Sequence, residues 1–254
     1  MSDEVLVEVD GGVAVITINR PKARNAVNGA VAQGVASALD ELDERNDVSA
    51  IVITGAGGTF CAGMDLKGFM TGENPMAGGR GFGGIVEKPP AKPVIAAVEG
   101  YALAGGCEIA LSCDMIIASS EAKFGLPEVK RGLVAGAGGL LRLPQRIPFH
   151  IAMEMTLTGD HYPAGRMAEL GLVNRVTEPG EALAGARELA GRLAENAPLA
   201  LAATKRVIVE SADWSRDEAF AKQGDIINPV FTSKDAIEGA TAFAEKRKPV
   251  WKGE

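Results

Sequence analysis

Gly100-Tyr101-Ala102-Leu103-Ala104-Gly105-Gly106-Cys107-Glu108-Ile109-Ala110-Leu111 is the stretch on which the reading of this chain turns. A short apolar run, Pro93 to Val98, precedes it and ends at Glu99-Gly100, the pattern of a buried strand running into a loop. After the loop an apolar helix begins at two adjacent glycines. The first N–H groups of a helix lack partners and favour negative charge, and glycines there let backbone approach a ligand closely. Such a place can stabilise an oxyanion. It can also simply allow tight helix–strand packing, and the local sequence leaves both readings open. Glu108 sits among Cys107, Ile109, Ala110 and Leu111. An ionised carboxylate there needs a partner, and burial would raise its pKa toward acid/base use. A surface glutamate or a buried ion pair with arginine is the plainer alternative.

Working outward, Phe124-Gly125-Leu126-Pro127-Glu128 follows twenty residues on. Pro127 pushes Leu126 toward extended backbone, so Glu128 is expected at a loop or helix start. Gly136-Ala137-Gly138-Gly139 then leads into Leu140-Leu141-Arg142-Leu143, a second glycine-rich helix start. Upstream, Thr59-Phe60-Cys61-Ala62-Gly63-Met64-Asp65-Leu66-Lys67 reads as a small-residue turn in which Asp65 caps a short helix. The Met64 N–H is then a second candidate oxyanion donor. Gly79-Arg80-Gly81-Phe82-Gly83-Gly84 has G-x-G-x-x-G spacing, but no strand precedes it and no helix follows, so it is not read as a dinucleotide loop. Asp114 is read as a structural cap or ion-pair partner.

Val5–Val9 and Val13–Asn19 around Asp10-Gly11-Gly12 predict a β-hairpin. Asn28 should cap a helix to about Asp43, with Val31, Val35, Leu39 and Leu42 on one face. Ala50–Thr54 and Asp114–Ala118 read as further buried strands. Strand, loop, helix and strand in this order indicate an α/β class. Residues 68–92, rich in Gly, Pro and Met, are read as a mobile loop. From Glu181 onward caps and breakers such as Asn196, Pro198, Asp213 and Pro229 separate alanine-rich segments, predicting helices over 181–195, 198–211, 215–227 and 233–246. The expected division is a core over 1–195 and a helical region over 196–254.

The bulk properties narrow the function classes. The net charge of -7 disfavours a nucleic-acid binder. The acidic start Met1-Ser2-Asp3-Glu4 lacks signal-peptide character, and no apolar run approaches a membrane helix. Three cysteines without a C-x-x-C pair argue against a disulfide framework or a zinc site. These features predict a cytoplasmic protein without membrane association. Only His150 and His161 are present and no G-x-S-x-G occurs, so acid/base chemistry falls to carboxylates.

Taken in order, six segments resemble the crotonase (enoyl-CoA hydratase/isomerase) superfamily. They are Asn19-Arg20-Pro21-Lys22-Ala23-Arg24-Asn25-Ala26, Phe60 to Lys67, Gly100 to Glu108, Phe124 to Glu128, Gly136 to Gly139, and Phe243-Ala244-Glu245-Lys246-Arg247-Lys248-Pro249. The resemblance implies a spiral of repeated ββα units with a C-terminal helical trimerisation region, and trimers that pair into hexamers. It implies no metal and no cofactor, with coenzyme A arriving as part of an acyl-CoA thioester substrate. Lys22, Ala23, Ala62, Met64, Lys67 and Gly136 match positions along the CoA and acyl path. Phe243 and Lys246 match positions that reach CoA, from a neighbouring subunit if not from their own. The N–H groups of Met64 and Gly105 match the oxyanion hole. Glu108 and Glu128 match the two glutamates of the hydratases, which add water across the 2,3-double bond of an enoyl-CoA; many isomerases keep only the second. Arg24, Ala104, Ala135 and Trp251 depart from common family residues. The run Leu126 to Lys130 followed by Leu141 to Pro144 is also similar to carnitinyl-CoA dehydratases. Competing expectations are a Δ3,Δ2-enoyl-CoA isomerase using Glu128, and a non-catalytic acyl-CoA-binding protein.

Overall fold

Two glycines in left-handed backbone, Gly11 (φ 55°) and Gly12 (φ 83°), turn the first hairpin, as a two-residue turn between twisted strands requires. The computed structural model describes residues 3–254. The hairpin joins β1 (Val5–Asp10) to β2 (Val13–Ile18), with Asp10 opposite Val13. Helix α1 (Gly29–Glu44) is capped as its sequence predicts, the Val31 N–H donating to Asn28 Oδ1 at 2.9 Å. Its buried face is Val31, Ala32, Val35, Ala36, Ala38, Leu39 and Leu42. Each fully buried Val or Leu contributes roughly 1.5–3 kcal/mol, so tertiary packing outweighs the cap in holding this helix.

The chain continues through β3 (Ala50–Gly55), α2 (Leu66–Met70), the two-residue strands β4 (Met76–Ala77) and β5 (Gly81–Phe82), and β6 (Val94–Val98). Next come β7 (Tyr101–Leu103), α3 (Gly105–Ser112), β8 (Met115–Ser119) and β9 (Lys123–Gly125). A 3-10 turn, Pro127–Arg131, leads to α4 (Gly139–Arg146), α5 (Phe149–Thr158), β10 (Tyr162–Pro163), α6 (Ala164–Glu169) and β11 (Arg175–Thr177). Helices α7 (Ala182–Ala194), α8 (Pro198–Glu210), α9 (Ala219–Phe231) and α10 (Lys234–Glu245) complete it.

The main sheet has the order β1-β2-β3-β6-β8-β11, antiparallel between β1 and β2 and parallel thereafter. Its central strands are buried on both faces, which explains their continuous apolar sequences. Ala186 and Ala190 of α7 cover one face over Val15, Val52, Ile95 and Ile117. The other face packs Ile16, Ile51 and Ile53 against α1 and α3. A second sheet, β10-β9-β7, stands at the edge of α3 and carries the loop that starts it. No helix among the described residues is long and apolar enough to cross a membrane.

Two expectations need correction. Helix α9 begins at Ala219, not 215, because residues 216–218 form turns closed by Glu218 N–H donating to the Ser215 carbonyl. It also runs through Pro229, which lies two residues from the helix end and there forfeits little of the ladder. The segment 68–92 is not a plain loop: Arg80, Phe82, Ile85 and Val86 are buried within it. Arg80, only 4% exposed at its side chain, pairs with Asp40 (2.8 Å) and Asp43 (3.3 Å) of α1. Composition hid this anchoring, since glycine and proline mark turns whether or not they pack.

Candidate active site

Residues 60–64 run beside β7 as a parallel neighbour. The Cys61 N–H donates to the Tyr101 carbonyl (2.9 Å) and the Leu103 N–H to the Cys61 carbonyl (3.0 Å). Continuing that register brings Met64 beside Gly105, the first residue of α3. A Cβ on Gly63 would stand 2.8 Å from the Ala104 Cβ and 3.3 Å from the Gly105 nitrogen, which shows how closely the two segments approach. Neither the Met64 N–H nor the Gly105 N–H donates to an acceptor among the described residues. Asp65 caps α2 by accepting from the Lys67 and Gly68 N–H groups, and Arg20 holds its other oxygen at 3.0 Å. The packing reading of the glycines holds: a Cβ on Gly106 would fall 2.1 Å from the Cys61 carbonyl oxygen, and one on Gly105 would fall 2.4 Å from the Phe82 ring. The turn into α3 is made by Ala104 at φ 50°, ψ -128°, backbone that an L-residue rarely adopts.

Glu108 lies on the first turn of α3, 3% exposed. Its Oε1 accepts from the Ala137 N–H (2.7 Å) and the Gly139 N–H (2.9 Å), so the second glycine-rich helix start is a cradle for this carboxylate. Burial raises its pKa; the two amides and the Arg142 guanidinium act the other way. Glu128 stands at the head of the 3-10 turn, half-buried, with Oε2 buried and unpaired. Burial, with the Glu108 charge adding to it, pushes its pKa up to about 7. Two carboxylates in electrostatic contact, one cradled by amides and one with an unpaired oxygen, therefore sit in unlike environments.

Met64, Gly105, Glu108 and Glu128 all line one cavity of about 670 Å³, a size ordinary for a small-molecule site. Ala62 and Gly136 line it too. Lys22 and Ala23 occupy the 3-10 turn Pro21–Ala23, and Lys67 lies on α2; all three are outside the cavity wall of this chain. Phe243 (88% exposed) and Lys246 project from the end of α10, also away from it. Sequence reasoning missed Phe82, Arg131, Leu133 and His161 as wall residues and named Arg24 only as a departure. The buried Arg-Gly-Phe of the strap at 80–82 was hidden inside an apparent dinucleotide motif. His161 carries an imidazole pKa lowered by burial and by the nearby Lys130 and Lys123. Cys61, Cys107 and Cys113 are free and buried, and burial holds their thiols protonated.

The model of the family described as enoyl-CoA hydratase/isomerase matches residues 8–254. A solved enoyl-CoA hydratase from Mycobacterium tuberculosis H37Rv is 60% identical, with a TM-score of 0.97 over 100% of both chains. A carnitinyl-CoA dehydratase of Salmonella arizonae is 42% identical over 100% of both chains. A short-chain-enoyl-CoA hydratase of Clostridium acetobutylicum is 40% identical over 97% of this chain and 96% of the relative.

Proposed function

Because the chain belongs to the enoyl-CoA hydratase/isomerase family, we propose that it is an enoyl-CoA hydratase in which Glu108 and Glu128 share the acid/base work. The observation that carries this reading is the meeting, in one cavity, of two carboxylates with unlike environments and two backbone N–H groups without acceptors. The Met64 and Gly105 amides receive the thioester oxygen and stabilise the negative charge it gains as an enolate forms. Glu108 spends one oxygen on the Ala137 and Gly139 amides, which favour its ionised form, and leaves Oε2 for a water. It takes the water's proton as the oxygen bonds to Cβ. Glu128, with a pKa of about 7, is protonated often enough at neutral pH to deliver its proton to Cα, and it regains one afterwards. One proton enters the pair and one leaves it, so the addition is balanced without any further reagent.

An isomerase needs only the Glu128 shuttle. The two-amide cradle built around Glu108 favours the hydratase reading, because a shuttle at Glu128 would gain nothing from it. The carnitinyl-CoA dehydratase relative keeps the same water elimination open on a cationic acyl group. The test is loss of the enoyl-thioester absorbance on adding the protein to crotonyl-CoA, with Glu108→Gln and Glu128→Gln alongside. Turnover lost by on the order of 10²-fold or more in each variant supports the assignment. Near-normal turnover in both sinks it. Dehydration of carnitinyl-CoA in the same series separates the second substrate.

The CoA path belongs to the same reading. Ala62 and Gly136 border the acyl and pantetheine end, while Lys22, Ala23 and Lys67 lie outside the mouth, where the nucleotide and its phosphates would follow. The exposure of Phe243 and Lys246 suits a contribution to a neighbouring subunit's substrate. We therefore assign a homotrimer, or a hexamer of two trimers, divided into a core to residue 195 and a helical oligomerisation region after it. Three buried free thiols suit the reducing cytoplasm.

A further inference from the structure

Arg142 stands behind the carboxylate that is assigned to water. Its guanidinium folds back over Gly138, where a Cβ would lie only 2.3 Å from Nη1; Gly138 is also at φ 91°. Its Nη2 donates to the Val86 carbonyl at 2.5 Å, and its backbone N–H donates to the Gly138 carbonyl at 2.9 Å. Gly138 is the residue between Ala137 and Gly139, the two amides that hold Glu108. Val86 in turn belongs to the strap that Arg80 fastens to Asp40 and Asp43, with Arg80 Nη1 donating to the Lys88 carbonyl at 2.7 Å. The strap also presses Phe82 on Gly105. One guanidinium thus braces the cradle of Glu108 against a segment tied to α1.

We propose that Arg142 is a positioning residue for Glu108, bracing the 137–139 amides against the strap and placing a positive charge behind the carboxylate assigned to water. This rests on the assignment of Glu108 above. The groups around Glu108 make the sign definite. Glu128, across the cavity on the 127–131 turn, has its own pKa raised by the Glu108 charge. On its own helix Cys107 is a protonated thiol, and no charge from the strap acts on it. Arg142 on α4 is the cation that favours the charged form, while Arg146 faces Arg142 rather than Glu108. Arg142 makes no direct ion pair with Glu108 among the described residues and lies outside the cavity wall, so it acts through the loop and through space.

The experiment compares wild type, Arg142→Gln and Arg142→Lys. Arg142→Gln should lower kcat by about 10- to 100-fold with little change in KM, since the amides shift while the cavity stays open. Its acid limb in kcat against pH should move up, because Glu108 loses a cation. Arg142→Lys keeps the charge and loses the planar donor, so it should restore the acid limb and recover only part of kcat. In a Glu108→Gln background, Arg142→Gln should add nothing further to the loss. A carboxylate NMR titration of Glu108, assigned through Glu108→Gln, reads the same shift without turnover. Failure of hydration in the wild type would count against the hydratase assignment, while the titration still judges Arg142. A merely structural role predicts a lower Tm with the Glu108 titration and acid limb unmoved, and that result overturns the proposal. If Arg142→Gln fails to fold, Arg142→Lys decides: a Glu108 titration displaced as far as loss of the charge would displace it refutes the electrostatic part.

Discussion

Gly106→Ala tests the construction of the proposed oxyanion pair more sharply than any change to the amides themselves. The added Cβ would lie 2.1 Å from the Cys61 carbonyl oxygen, 2.7 Å from its carbon and 2.8 Å from its Cβ. A comfortable C···O contact is about 3.3 Å, so strand and helix must part by about 1 Å. The obstacle is backbone on both sides, and the oxygen is already engaged by the Leu103 N–H. The separation therefore falls on the register that sets Met64 beside Gly105. Overpacking of this kind costs about 1–3 kcal/mol. At about 2–4 °C per kcal/mol for a chain of this size, Tm should fall by about 2–12 °C at fixed protein concentration. Misplacement of the amides by about 1 Å should reduce kcat on crotonyl-CoA by on the order of 10²-fold. Gly165→Ala on α6, with open space around the new methyl, is the control: it should leave kcat unchanged and should not lower Tm. The reasoning fails if Gly106→Ala retains wild-type kcat and Tm.

Ala104→Gly should stabilise the protein: relief of about 1–3 kcal/mol of backbone strain exceeds the roughly 0.5–1 kcal/mol entropic cost of glycine. Chemical denaturation measures the difference. Asn25 is fully buried at φ 56°, donates to the Ala56 (2.8 Å) and Thr59 (2.5 Å) carbonyls and accepts from the Arg20 N–H (2.9 Å). Asn25→Ala leaves those groups unpaired and should cost at least about 1–3 kcal/mol in the same assay. The raised pKa of Glu128 makes the folded state bind its proton more tightly than the unfolded chain does. Its contribution to stability is therefore lost as pH rises from the ordinary carboxylate range to about 7, and stays lost above. Glu128→Gln should accordingly gain stability over wild type at pH above 7 and show no such gain below the ordinary range, as read by Tm against pH.

Local signals with a steric or hydrogen-bonding cause were legible from sequence. The Gly11-Gly12 turn and the caps Asn28 and Asp65 each meet a requirement of their own backbone, and the double glycine before Glu108 marks a close approach to Cys61 and Phe82. The buried parallel strands showed themselves because both faces demand apolar residues. The proline at 127 put Glu128 at a loop or helix start, where the 3-10 turn stands, yet nothing local told that its Oε2 would be buried and unpaired. The partners of Glu108 were equally illegible: Ala137 and Gly139 meet it through backbone N–H groups, which every sequence offers. The anchoring within 68–92, read as a mobile loop, was missed because Arg80 finds Asp40 and Asp43 about forty residues away, and such a pairing leaves no periodic mark. Pro229 was read as a breaker, whereas near a helix end it removes little.

The pH dependence of both directions of the reaction tests the shared-proton account most directly. Adding water to crotonyl-CoA consumes no net proton, so hydration and dehydration need the carboxylate pair to carry one proton in total, only placed differently. We predict that kcat/KM for hydration of crotonyl-CoA and for dehydration of 3-hydroxybutyryl-CoA trace the same bell, with the alkaline limb near pH 7 from loss of the proton assigned to Glu128 and the acid limb from protonation of Glu108. Glu128→Gln should abolish both. A profile flat between about pH 5 and 9, or a Glu128→Gln variant that still turns over at the wild-type rate, would contradict it.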